Sequence, residues 1–286
     1  MTAQAVGRFV EVAGVRLNYC LQGNGAHNVL CLPGALGSWR TDFAVTLRTF
    51  GHEEKFTLVA WDPPGYGHSR PPEREFTTQM FANDARAAHK MMQTLGLLPY
   101  SVLGWSDGAI TAIFLSHQLQ RAAASSALRR MVLWGGNSYV AHADVDRYER
   151  IRDTRKWSDR MRQPLVKLYG EQKLQEMWSA CTDVWCKQFF EQQNGNVCRE
   201  LLSEVATPTL LVHGEKDQLI PKEQALYIHE RLQNSWLHCM DAGHNLHMRY
   251  PEHFNELARR FLLAPDEHLN NPDFLENLLS FEHSKL

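Results

Sequence analysis

Several features are missing from this sequence, and each absence narrows what it can be. No apolar run approaches the roughly 18 residues that would cross a bilayer, so a membrane is not an expected partner. Residues 1–15 lack the apolar stretch of a secretory signal and the Arg- and Ser-rich character of a transit peptide. The expected location is cytoplasmic, or mitochondrial if a leader has been trimmed. No Asn-x-Ser/Thr sequon occurs, and the six cysteines are scattered without a Cys-x-x-Cys pair. Cys31 and Cys239 sit in apolar, strand-like runs, so the thiols are expected to be reduced, buried and inert. Charge of one sign is also lacking: 30 Lys and Arg face 32 Asp and Glu, which argues against nucleic acid as a partner. There are no internal repeats and no low-complexity segments.

What is present suits one sizeable globular unit. The chain has 286 residues, 44% of them hydrophobic, enough to bury a core without staples. Short aliphatic runs recur at 29–32, 56–61, 100–104, 131–134, 209–212 and 236–240, each followed by a turn and most of them by a helical pattern. That alternation predicts a parallel sheet wrapped by helices. Two earlier runs, 8–12 and 15–20, flank Ala13-Gly14 and read as a hairpin, which makes a mostly parallel eight-stranded sheet. Helical periodicity covers 80–95, 109–119, 222–232 and 252–263, with Pro221 and Pro251 at the expected starts of the last two.

The rhythm breaks between about 137 and 202, which is charged, carries Trp157, Trp178 and Trp185, and has no strand signal. It is much longer than the dozen or so residues a crossover needs, so a helical cap over the C-terminal edge of the sheet is expected. The division that follows is a core of 1–136 and 203–263, a cap of 137–202 and a C-terminal extension of 264–286. The extension is polar, holds Pro265 and Pro272, and is expected to be surface-packed or partly disordered.

Gly104-Trp105-Ser106-Asp107-Gly108 is the only G-x-S-x-G in the chain. It leaves a predicted strand and opens a predicted helix, the setting a nucleophile elbow requires. Ser106 is therefore the candidate nucleophile, and a serine there disfavours chemistry that starts from an aspartate nucleophile. A plain glycine-rich turn is the alternative. Triad partners on such a sheet follow in the order Ser, acid, His, each after a later strand. Asp217, after 209–212, is the candidate acid, with Glu215 and Asp241 as rivals. His244, after 236–240, is the candidate base. His247 makes a His-x-x-His pair with His244, but no third ligand accompanies it and no metal is expected. One oxyanion donor should be the Asp107 amide. The other should come from Pro33-Gly34-Ala35-Leu36-Gly37, with Ala35 the first choice and Leu36 the second.

Asp107 also places a carboxylate at the mouth of the acyl pocket. An unpaired charge there is costly, and a substrate ammonium near the scissile carbonyl would satisfy it. The competing reading is a solvated acid favoured by the helix dipole. Tyr148 and Trp157 of the cap are candidates to line the substrate pocket.

These residues together resemble the valacyclovir hydrolase, or biphenyl hydrolase-like, family of the α/β-hydrolase superfamily. The resemblance rests on the 104–108 motif, the 61–72 run Trp-Asp-Pro-Pro-Gly-Tyr-Gly-His-Ser-Arg-Pro-Pro, His213-Gly214-Glu215-Lys216-Asp217 and Gly243-His244-Asn245-Leu246-His247. It implies the α/β-hydrolase fold and a monomeric, cofactor-free esterase that cleaves α-amino acid esters, amino-ester prodrugs among them. It also implies that Ser106, Asp217 and His244 form the triad and that Asp107 binds the substrate's free α-amino group. The chain departs from the family's pattern at Pro64, at Trp39-Arg40 and in its tail. The 62–69 run is expected to be a structural turn abutting the site. Other readings on the same triad are a generic carboxylesterase, a thioesterase or a carbon–carbon bond hydrolase, and a non-catalytic binding protein is a third class.

Overall fold

The computed structural model describes residues 6–50 and 54–283. Eight strands form one sheet in the order β1-β2-β4-β3-β5-β6-β7-β8. They are β1 (Arg8–Val12), β2 (Val15–Gly23), β3 (His27–Leu32), β4 (Phe56–Trp61), β5 (Tyr100–Trp105), β6 (Leu128–Trp134), β7 (Thr209–Gly214) and β8 (Ser235–Met240). Only β1–β2 and β2–β4 pair antiparallel. Ala13 and Gly14 both take positive φ at the β1–β2 turn, the geometry a two-residue hairpin needs. The central strands β4, β5 and β7 are buried almost throughout, because helices cover both faces of the sheet. β8 lies at the sheet's edge, and Cys239 on it is half-buried rather than buried. The other five cysteines are buried and all six are free.

The helices Met80–Thr94, Asp107–Arg121, Lys222–Arg231 and Pro251–Leu263 pack on the sheet, with Pro221 capping the third and Pro251 in the first turn of the fourth. Between β6 and β7 the chain is helical over His142–Arg150, Asp159–Tyr169 and Glu171–Asp183, and continues as a wider i→i+5 turn over Val184–Gln192. A backbone bridge between Tyr139 and Asn196 closes the neck of this insertion.

Among the contacts that tie the insertion to the core, such as Phe81 on Trp185 and Phe189, one reaches the loop above the site. The Tyr169 hydroxyl donates to the Leu36 carbonyl (2.8 Å) and accepts from the Gly67 amide (2.8 Å). The turn carrying Gly67 is built around buried Asp62, whose carboxylate accepts from the Trp39 and His68 amides at 2.9 and 2.8 Å. The tail is helical over Phe274–His283, and Phe274 packs on Trp236 and Phe261. Residues 284–286 lie outside the described set.

Candidate active site

Ser106 stands where β5 turns into the helix Asp107–Arg121, with φ 56° and ψ −120°. Positive φ is uncommon for a residue with a side chain and stores strain, of the kind concentrated at functional sites. The Ser106 amide is held by the Trp134 carbonyl of the neighbouring strand (2.9 Å). Both flanking glycines are needed for the turn to close. A Cβ on Gly104 would come within 2.8 Å of the Gly108 carbonyl oxygen, and one on Gly108 within 2.0 Å of the Leu32 carbonyl oxygen.

Three loops at the same sheet edge converge on Ser106. Its hydroxyl donates to His244 Nε2 (3.2 Å), and His244 Nδ1–H donates to Asp217 Oδ2 (2.8 Å). Asp217 Oδ1 accepts from the Leu219 and Ile220 amides, both at 2.9 Å. Burial alone would raise the Asp217 carboxyl, but His244 and these two amides outweigh it and hold it below the ordinary range. The rival acids lie elsewhere: Glu215 is paired with Lys222 and Asp241 with Lys216.

His244 is fixed from two further directions. The Trp105 indole donates to its carbonyl (3.0 Å). Gly135, at φ 64°, lies beneath its ring, and a Cβ there would sit 2.8 Å from His244 Cε1. Gly135→Ala should therefore push the imidazole off Ser106. A misplacement of about 1 Å costs about 10²-fold in rate. We expect that loss in kcat at near-constant KM on an activated ester, and a kcat within a fewfold of the parent would contradict the contact.

His247 has no spare ligand capacity. The Trp134 indole donates to its Nδ1 (3.0 Å), so Nε2 carries the proton and donates to the Asp42 carbonyl (3.0 Å). Burial pushes it down to about 3, and it is a neutral structural histidine. Among the described residues no cluster of three metal-ligating side chains occurs.

The loop after β3 passes over the nucleophile: a Cβ on Gly34 would lie 3.3 Å from Ser106 Cβ. The Gly34 amide is directed backwards to Asp42 Oδ2 (2.9 Å). The Ala35, Leu36 and Asp107 amides make no hydrogen bond within the described residues, which leaves them free for a developing oxyanion. Asp107 opens its helix, where an amide has no intrahelical acceptor. Leu36 takes φ 58° and its carbonyl is held by Tyr169.

Asp107 is half-buried, and its Oδ2 is fully enclosed with no hydrogen-bond partner. Burial first pushes its carboxyl up to about 7, with Arg74 pulling the other way. Tyr148 is buried, stacked on Trp185 at 5.5 Å, and close enough to Asp107 that its charge helps burial hold the tyrosine hydroxyl well above its ordinary value. Trp157 is not brought to the site. Its indole N–H is spent on the Ile151 carbonyl (2.8 Å) and its ring lies edge-on to Trp178 at 4.9 Å, inside the insertion.

Sequence reasoning missed Gly135, Tyr169, Asp42 and the Arg74–Asp84 pair behind Asp107. Gly135-Gly136 directly after β6 was a readable signal, since adjacent glycines at a strand exit mark close approach. The others carry no local signature.

The chain resembles known proteins over most of its length. A match to the Alpha/beta hydrolase family spans residues 29–257. Serine hydrolase BPHL of Homo sapiens is 46% identical over 257 residues, covering 88% of this chain and 85% of that protein, and the Mus musculus protein matches equally. This bears out the family resemblance read from the motifs. A 2-hydroxy-6-oxo-6-(2'-aminophenyl)hexa-2,4-dienoic acid hydrolase of Metapseudomonas resinovorans is 25% identical over 281 residues, 90% of this chain and 91% of that protein. Among solved structures, an esterase from Exiguobacterium antarcticum superposes with a TM-score of 0.70 at 20% identity, over 90% of this chain and 99% of that one, a likeness of fold.

Proposed function

The chain belongs to the alpha/beta hydrolase family and is a serine hydrolase, and we propose that it cleaves α-amino acid esters, amino-ester prodrugs included, through an acyl-enzyme. In this reading Ser106 attacks the ester carbonyl while His244 takes its proton, and His244 returns that proton to the leaving alcohol. Asp217 holds the imidazole in the tautomer that accepts from Ser106. The oxyanion is received by the Asp107 amide and by Ala35 or Leu36. Water then attacks the acyl-enzyme with His244 again as base, releasing the amino acid. The enzyme acts as a monomer without a cofactor.

The observation that carries the substrate class is Asp107, a half-buried carboxylate one residue from the nucleophile, neither of whose oxygens has a hydrogen-bond or ion-pair partner among the described residues. An ammonium on the carbon next to the scissile carbonyl supplies the missing charge. A hydrogen bond to a charged group contributes about 1.5–3 kcal/mol, which is roughly ten- to hundredfold in selectivity. Asp107→Asn should therefore raise KM for a valyl ester by about that factor and leave the N-acetylvalyl ester of the same alcohol unchanged. An unaltered preference for the free amine in that variant would remove the assignment.

A further inference from the structure

Beside Asp107 lies a small, partly open hollow of about 10 Å³, roughly the space of one water, whose lining includes Trp61, Tyr66, Arg74, Asp84 and Asp107. Arg74 and Asp84 form a bidentate ion pair, both contacts at 2.7 Å, with side chains only 6% and 7% exposed. Arg74 also donates to the Pro64 carbonyl (3.1 Å), and its guanidinium lies 4.4 Å from the centre of the Tyr66 ring. Four polar atoms of residues lining this hollow are buried without a hydrogen-bond partner: Asp107 Oδ2, the Tyr66 hydroxyl, Trp61 Nε1 and Arg74 Nε. An unmatched Arg74 cation so near would be the natural counter-ion of Asp107 and would close the site to any substrate ammonium. Asp84 prevents this by taking both terminal guanidinium nitrogens.

We propose that the Arg74–Asp84 pair is the specificity-setting element of the amine site: neutralised within itself, it steadies the Asp107 carboxylate without capturing it, and so leaves that charge to the substrate. This rests on the amino-ester reading above and names residues that touch no substrate. Arg74 Nε is a donor needing an acceptor, so the occupant of the hollow is a water, which accepts from Arg74 and donates to Asp107 Oδ2, rather than the ammonium itself. The amine approaches Asp107 from its exposed side.

The charged groups acting on Asp107 are Arg74 and His244, which favour its ionised form, and Asp84 and Asp42, which oppose it. The hydroxyls of Tyr66 and Tyr148 and the Cys181 thiol also feel its charge, and all three are held neutral by burial. Of the four charged groups, Arg74 acts most strongly. Removing only Asp84 therefore makes Asp107 a stronger acid and pairs it with Arg74. Removing both charges makes it a weaker acid.

The test is the ratio of kcat/KM for a valyl ester to that for its N-acetylvalyl counterpart, followed against pH. Both substrates use His244 alike, so the rising limb of the ratio reports Asp107 ionising near 7, and a falling limb at higher pH reports the substrate ammonium losing its proton. In Asp84→Asn the ratio should fall at least about tenfold, with hydrolysis of the N-acetyl ester kept and the rising limb moved to lower pH. In the double variant Arg74→Met/Asp84→Leu the ratio at neutral pH should also fall, with the limb moved to higher pH. The double variant carries the test if Asp84→Asn does not fold, because exchanging a buried pair for apolar side chains is far better tolerated than stranding one charge. An unchanged ratio, or limbs moving the same way in both variants, overturns the proposal. If Asp107→Asn abolishes the preference while both pair variants retain it, only the role of the pair fails. If Asp107→Asn retains it, the amino-ester reading fails as well.

Discussion

Ser106→Ala is expected to lower kcat on an activated valyl ester by about 10⁶. The size follows from the arrangement around the serine. The alanine enzyme keeps the His244–Asp217 hydrogen bond, the elbow and the unpaired amides of the facing loop. It lacks the hydroxyl that donates to His244 Nε2, so no acyl-enzyme can form. Residual turnover should be that of attack by solvent within the oxyanion hole, about 10³–10⁴ above the reaction in water. The pre-steady-state burst of alcohol release with substrate in excess should vanish together with labelling by a fluorophosphonate. A variant free of parent enzyme that still turned over at a hundredth of the original rate would rule Ser106 out as nucleophile.

Asp217→Asn is expected to lower kcat by about 10⁴ with little change in KM. Here the two oxygens of Asp217 have different duties. Oδ1 receives the Leu219 and Ile220 amides and Oδ2 receives His244 Nδ1–H. An asparagine must turn its carbonyl towards the two backbone donors, because its NH₂ cannot accept from them. That leaves the NH₂ facing His244 Nδ1, which becomes an acceptor, and the ring proton moves to Nε2. The histidine can then no longer accept from Ser106. Comparison with Asp217→Ala separates this from simple loss of charge: alanine imposes no tautomer, so it should be no worse than asparagine. An asparagine variant that kept a tenth of the parent kcat would show that the histidine is oriented by another group.

The parts of this site that could be read in the sequence are those where chemistry and local chain geometry coincide. Ser106, Asp217 and His244 each lie within a few residues of a strand end, and the turn residues around them mark where each strand stops. The number of strands needed only the alternation of apolar runs and turns, whereas their order, with β4 between β2 and β3, did not follow from it. The unreadable parts depend on chain segments that meet after folding. Arg74 and Asp84 are ten residues apart, one on a loop and one on the helix Met80–Thr94, and nothing in either stretch announces that they close on Asp107. Trp157 illustrates the opposite error. A tryptophan in an insertion signals burial but not direction, and Trp178 and the Ile151 carbonyl claimed it for the insertion's own core. His247 was ambiguous in sequence because spacing cannot show that Trp134 occupies one ring nitrogen and Asp42 the other.

The Tyr169 hydroxyl has a mechanical consequence. It is a single rivet through three parts: the helical insertion that carries it, the Leu36 carbonyl of the loop over the nucleophile, and the Gly67 amide of the Asp62 turn. If the insertion swings outward to admit a bulky ester, it must either break both hydrogen bonds or drag the Leu36 peptide with it, and the Ala35 and Leu36 amides just before that peptide are the loop's candidate oxyanion donors. An open molecule would thus be a disarmed one. Chemistry would wait until the rivet re-forms over the bound substrate, which confines the reactive configuration to the shut state and keeps the strained serine from spending itself on whatever passes the open door.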